Sequence, residues 1–81
     1  MNVVVVDDDP LVRLVLAKAV SSTGHVSMPT DSGEGALRLV ETSNVDVVVS
    51  DWMMPGMTGL ELCRLIRARD AIEYVYFMLV T

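Results

Sequence analysis

Four aspartates at the ends of two apolar runs carry the chemistry of this sequence. Asp7-Asp8-Asp9 follows Val3-Val4-Val5-Val6, and Asp51 follows Val47-Val48-Val49-Ser50. Short β-branched runs of this kind read as buried parallel strands. In an open α/β sheet the carboxyl ends of neighbouring strands meet at the ligand crevice. The two runs therefore predict up to four carboxylates in one pocket, where they repel one another unless a cation sits among them.

The elements that must position these acids follow from pattern and punctuation. After the first strand, Asp9 is a natural N-cap and Pro10 suits the first helical turn, where a missing N–H costs nothing. Leu11, Val12, Leu14, Val15, Leu16, Ala19 and Val20 give that helix a broad apolar face. Ser21-Ser22-Thr23-Gly24 ends it, with Gly24 as the C′ residue. A short second strand is expected over His25–Met28, then a turn at Thr30-Asp31-Ser32-Gly33 that caps a second helix marked by Ala36, Leu37, Leu39 and Val40. Ser43-Asn44 stops that helix, and Val45–Ser50 forms the third strand. Asp51–Gly59 reads as a loop, Leu60–Ile66 as a third helix with Arg64, Arg67 and Arg69 on its solvated face, residues 70–73 as a connection, and Tyr74–Val80 as a fourth strand. Strict alternation of strand and helix implies a parallel sheet with right-handed crossovers.

Composition narrows the class. Eighty-one residues make one small domain, which buries only about 60% of its unfolded surface. Yet 52% of the residues are hydrophobic and the mean hydropathy is +0.47, more apolar sequence than so small a surface accommodates. A partner covering part of it, or membership in something larger, is expected. The net charge of −5 disfavours nucleic acid or an anionic membrane as the main partner. No apolar run reaches the ~18 residues of a membrane span, and the N-terminus lacks the features of a signal peptide. Cys63 is the only cysteine, so no internal disulfide forms. A cytoplasmic location is expected. His25 reads as a strand-edge residue, and Cys63 as a small helix residue at the core.

Three blocks carry a resemblance. They are Val3-Val4-Val5-Val6-Asp7-Asp8-Asp9-Pro10, Asp51-Trp52-Met53-Met54-Pro55-Gly56-Met57-Thr58-Gly59-Leu60-Glu61-Leu62, and Met78-Leu79-Val80-Thr81. In these the chain resembles the receiver domain of bacterial two-component response regulators, from its first residue to its last. The resemblance implies a flavodoxin-like (CheY-like) doubly wound parallel sheet of family order 2-1-3-4-5, here incomplete: residues 1–81 form a receiver-like domain lacking the family's final helix-strand-helix. It implies that Asp51 accepts a phosphoryl group from a histidine kinase. By the same likeness Asp8 ligates Mg²⁺ directly, Asp7 acts through water, Met53 offers a backbone carbonyl, and Thr81 is the switch hydroxyl. A sensor histidine kinase or phosphotransfer protein is the implied partner, and no enzymatic role beyond slow self-phosphorylation and dephosphorylation is implied.

The chemistry agrees with these roles. Phosphoryl transfer depends on position and charge, and the incoming group and Asp51 are both negative. Mg²⁺ takes carboxylate, carbonyl and water oxygens and offsets that repulsion. Two departures stand out. The family's late lysine is absent, and the only lysine, Lys18, falls on the first helix; Mg²⁺ binding is therefore expected to be weak and phosphorylation slow. Thr58 stands where the family often has Asp. Two other readings follow from the residues. Val3–Asp9 also fits the strand-Asp-x-Asp start of haloacid-dehalogenase-like phosphatases, with Asp7 as nucleophile and Asp9 as general acid. An apolar Tyr74–Val80 at a sheet edge also fits a self-associating fragment without phosphotransfer, as a homodimer or swapped assembly.

Overall fold

The architecture was obtained as a computed structural model that describes residues 1–69 and 75–80. It contains β1 (Asn2–Val6), α1 (Pro10–Ser22), β2 (Val26–Thr30), α2 (Gly33–Thr42), β3 (Val47–Asp51), α3 (Gly59–Arg67) and β4 (Tyr76–Val80). The strands form one parallel sheet in the order β2-β1-β3-β4. This is the expected incomplete flavodoxin-like arrangement, with β1 and β3 side by side. The expected connection at residues 70–73, the start of the fourth strand at Tyr74, and Thr81 lie outside the described residues.

Local signals explain the element boundaries. Asp9 Oδ1 accepts from the backbone N–H groups of Leu11 (2.9 Å) and Val12 (3.4 Å), with Pro10 in the first turn. Gly24, at φ 85°, follows the Thr23 C-cap and ends the helix in the left-handed conformation that favours glycine. Ser32 Oγ caps α2 by accepting from Gly35 N at 3.1 Å. All four strands differ from their expected bounds by one or two residues: β1 also takes in Asn2, and Val75 lies ahead of β4. β2 runs on through Pro29 to Thr30, because an outer strand has a free side on which the missing N–H of proline costs no ladder bond. β3 begins at Val47 rather than Val45, because the Val45 N–H is committed locally to the Ser43 carbonyl at 3.1 Å.

The sheet has unequal faces. On one, Val4 and Val6 of β1 and Val48 of β3 pack with Ala36 and Val40 of α2 and Leu62 and Ile66 of α3, and Met54 and Val75 join them. In each helix the two contributions are four residues apart, the spacing of one helical face. On the other face α1 covers β1 and β2, so Val3 and Val5 are also buried. The open area of this face is over β3 and β4. Val47 and Val49 are half-buried, and their register partners Tyr76 and Met78 are 71% and 57% exposed. The broad apolar face of α1 is only partly used. None of its residues is fully buried, and Leu11, Leu14 and Val15 stay exposed, because the helix is seated at one side of the sheet. Two of the three arginines expected on the solvated face also bond within the domain. Arg67 Nη1 donates to the Val75 carbonyl at 2.6 Å, and Arg69 pairs with Glu41 of α2.

Gly59, the first residue of α3, passes so close to β3 that a Cβ there would run into the Asp51 carbonyl oxygen and the Leu79 side chain. A backbone atom cannot yield as a flexible side chain can. Gly59→Ala is expected to destabilise the domain by about 1–3 kcal/mol, read as a lower urea midpoint.

Candidate functional site

The register of β1 with β3 decides the site. Val6 lies opposite Ser50, so Asp7 leaves β1 at the level where Asp51 ends β3. Asp7, Asp8 and Asp51 each bring a carboxylate oxygen to within 4.8 Å of the others. Their environments differ: Asp7 is buried at 5% exposure, Asp51 is half-buried and Asp8 is exposed. Three of the four aspartates singled out from the sequence thus converge. The fourth, Asp9, has its carboxylate committed to capping α1.

Backbone bonds hold this cluster in shape. Asp7 N donates to the Thr30 carbonyl at 3.3 Å, tying the end of β1 to β2. Asp7 Oδ1 accepts from Asp9 N at 2.9 Å, which folds the loop back on itself. Arg13, one turn into α1, donates through Nη1 to the Asp7 carbonyl at 2.8 Å. On the β3 side, Ser50 is fully buried and its hydroxyl donates to the Asp51 carbonyl at 2.9 Å. Trp52 N donates to Val80 O at 3.2 Å, and Trp52 O accepts from Gly59 N at 2.9 Å, so the loop after Asp51 is clasped between β4 and α3. Thr58 Oγ1 accepts from Glu61 N at 3.1 Å while Glu61 Oε1 accepts from Thr58 N at 3.2 Å, a reciprocal capping box. Thr58, which departs from the family's usual acid, therefore caps α3.

The electrostatics are those of a crowded acid pocket. Burial pushes the Asp7 carboxyl above its ordinary 3.8; the Asp9 N–H opposes this, and the negative charges of Asp51, Asp8 and Asp9 add to it. Three carboxylates that can each offer an oxygen at one place form the all-oxygen donor set that a hard divalent cation takes. Met53 lies two residues past Asp51 with its side chain 66% exposed. Thr81, the expected switch hydroxyl, lies outside the described residues. Arg13 and Ser50 were not singled out from the sequence. An arginine on an amphipathic helix and a serine in a valine run carry no spacing that marks them; their contacts arise from the packing of α1 on β1 and of α3 on β3.

Comparison with known proteins places this geometry. The family description "Response regulator receiver domain" matches residues 3–81. The chain is 33% identical over 82 residues to the chemotaxis protein CheY of Pseudomonas aeruginosa, covering 100% of this chain and 66% of that protein. It thus spans about two thirds of the length of that relative. Among solved structures, the response regulator TrrA of Thermotoga maritima in complex with Mg²⁺-BeF superposes with a TM-score of 0.85 at 30% identity, covering 99% of this chain and 70% of that one. A complex of the histidine kinase ThkA with TrrA matches with a TM-score of 0.82 at 30% identity, covering 99% and 67%. The parallel β2-β1-β3-β4 sheet, the carboxylates gathered where β1 and β3 end, and the match over nearly every residue have one reading: the chain belongs to the response regulator receiver domain family, the signalling module of two-component systems.

Proposed function

We propose that this domain receives a phosphoryl group on Asp51 from a histidine kinase, with Mg²⁺ held by Asp8 and Asp51 directly, by the Met53 backbone carbonyl, and by Asp7 through water. The observation that carries the reading is the convergence of three carboxylate oxygens within 4.8 Å. The TrrA complexes with Mg²⁺-BeF and with a histidine kinase support it by likeness. In the transfer, an Asp51 carboxylate oxygen forms its bond to phosphorus as the bond from phosphorus to the donor imidazole nitrogen breaks. Bound Mg²⁺ supplies positive charge against the phosphoryl oxygens. The chain's own part is positional: the Ser50 and Gly59 contacts hold the end of β3, and the β1–α1 loop holds Asp7 and Asp8 beside it.

The phosphatase alternative, with Asp7 as nucleophile and Asp9 as general acid, fits the geometry less well. Asp7 is buried with one oxygen bonded to the Asp9 N–H, and the Asp9 carboxylate is occupied by two amides of α1. Self-association is favoured by a separate observation. β4 is an outer strand without charge or proline, and Tyr76, Met78 and Val80 are exposed on the same face, whereas the opposite outer strand, β2, is interrupted by Pro29. Unblunted edges of this kind pair with a second copy.

Three outcomes test these readings. Acyl phosphate formed from a small phosphodonor with Mg²⁺ is expected on Asp51, lost in Asp51→Asn and lost on chelation; label retained in Asp51→Asn and removed by Asp7→Asn would establish the phosphatase reading instead. The raised Asp7 pKa gives a signed pH effect. Its contribution to stability is present below the unfolded value of 3.8 and is lost as pH rises through the higher folded value. Without Mg²⁺, Asp7→Asn is expected to be more stable to urea than the parent near pH 7, the difference closing below about pH 4. For self-association, light scattering at micromolar concentration is expected to give twice the mass of one chain, reduced to one chain by Met78→Lys.

A further inference from the structure

The Asp8 carboxylate has a particular difficulty. It is exposed, and among the described residues no hydrogen bond restrains it. Asp7 is held by burial and by Asp9 N, and Asp51 by its strand. Asp8 has only the backbone to aim it. The Cα of Asp8 lies in the peptide plane between Asp7 and Asp8, whose carbonyl oxygen is Asp7 O. Peptide planarity makes that oxygen a lever: fixing it limits the rotation that would swing Asp8 away from the pocket.

Arg13 holds the lever. Its Nη1 donates to Asp7 O at 2.8 Å in a half-buried position, and its own backbone N donates to Asp9 O at 3.0 Å. One residue of α1 thereby grips the loop on both sides of Asp8. We infer that Arg13 is a positioning residue for the cation site, orienting Asp8 through the Asp7–Asp8 peptide. This rests on the proposal that Mg²⁺ binds among Asp7, Asp8 and Asp51.

The inference makes a signed claim, because simple electrostatics points the other way. A guanidinium beside a cation site repels the cation, so removing it should tighten Mg²⁺ binding if charge alone matters. If Arg13 acts by orientation, removing it weakens binding. Groups that orient metal ligands from outside the coordination shell are worth about 10-fold or more in affinity, and screening by solvent limits the opposing effect of one partly exposed charge.

The test is Mg²⁺ titration of the 81-residue chain followed by Trp52 fluorescence, with urea midpoints measured in chelator. Arg13→Met keeps the length of the side-chain stem and loses the donor. It is expected to bind Mg²⁺ about 10-fold more weakly while its Mg²⁺-free urea midpoint stays close to the parent's. Arg13→Lys, which keeps a donor and the charge, is expected to recover part of the loss. Equal or tighter binding by Arg13→Met overturns the inference, as does a loss that Arg13→Lys shares in full. If Arg13→Met does not fold, Arg13→Gln decides in its place, with weaker Mg²⁺ binding than the parent supporting the inference and equal or tighter binding overturning it. Asp8→Asn separates this from the underlying reading. A parent response abolished in Asp8→Asn establishes the cation site whatever Arg13 does, and a parent without any saturable response removes the site and the inference together.

Discussion

The domain is organised around holding like charges together. β1 and β3 deliver Asp7, Asp8 and Asp51 to one place, and no cation of the β1–α1 loop or β3 offsets them in sequence. Near a protein surface two like charges about 4 Å apart repel by about 4 kcal/mol, whereas a helix N-cap is worth about 1 kcal/mol. The loop hydrogen bonds therefore shape the acidic cluster without cancelling its cost. The sheet supplies the difference. All four valines of β1 are buried, at about 1.5–3 kcal/mol each, and sliding that strand to relieve the carboxylates would move its side chains to the wrong faces. A divalent cation seated among the three carboxylates would relieve this repulsion.

The β3 side is built for the same purpose by different means. Asp51 ends a strand whose last turn is fixed from below by the buried Ser50 hydroxyl and from the side by Gly59, which admits α3 against the Asp51 carbonyl. Met57 of the intervening loop packs against the α2 N-terminus at Gly33, where a Cβ would collide with its sulfur. Asp51 therefore stands on backbone fixed from two sides, and the loop beyond it touches α2, α3 and β4. A change at Asp51 has short mechanical routes into each of those elements.

The two faces of the sheet differ in a way that bears on what the domain meets. The face covered by α2 and α3 closes over a continuous core. The face covered by α1 is closed over β1 and β2 and open over β3 and β4, where uncharged, partly aromatic residues meet solvent. An exposed apolar strip of this kind, on a domain of net charge −5, favours contact through shape and apolar area over contact through charge.

Much of this was legible in the amino-acid sequence. The alternation of valine runs and amphipathic helices dictates a parallel α/β sheet, because β-branched runs buried on both faces and helices with one apolar face have few other ways to bury their surfaces. Asp9-Pro10 and Gly24 mark the ends of α1 through backbone geometry alone. The acids after β1 and β3 announce the pocket, since residue order places them at strand ends. Thr58-x-x-Glu61 also encodes its capping box locally. Other features were decided by tertiary structure. Nothing in the spacing of Arg13 shows that its guanidinium meets the Asp7 carbonyl, nothing in a valine run marks Ser50 as the buried donor beneath Asp51, and nothing in the apolar pattern of α1 tells that Leu11, Leu14 and Val15 stay in solvent. The physical reason is common to all three. Periodicity states which side of an element seeks burial, whereas which partner it finds depends on strand order, register and where each helix is seated on the sheet.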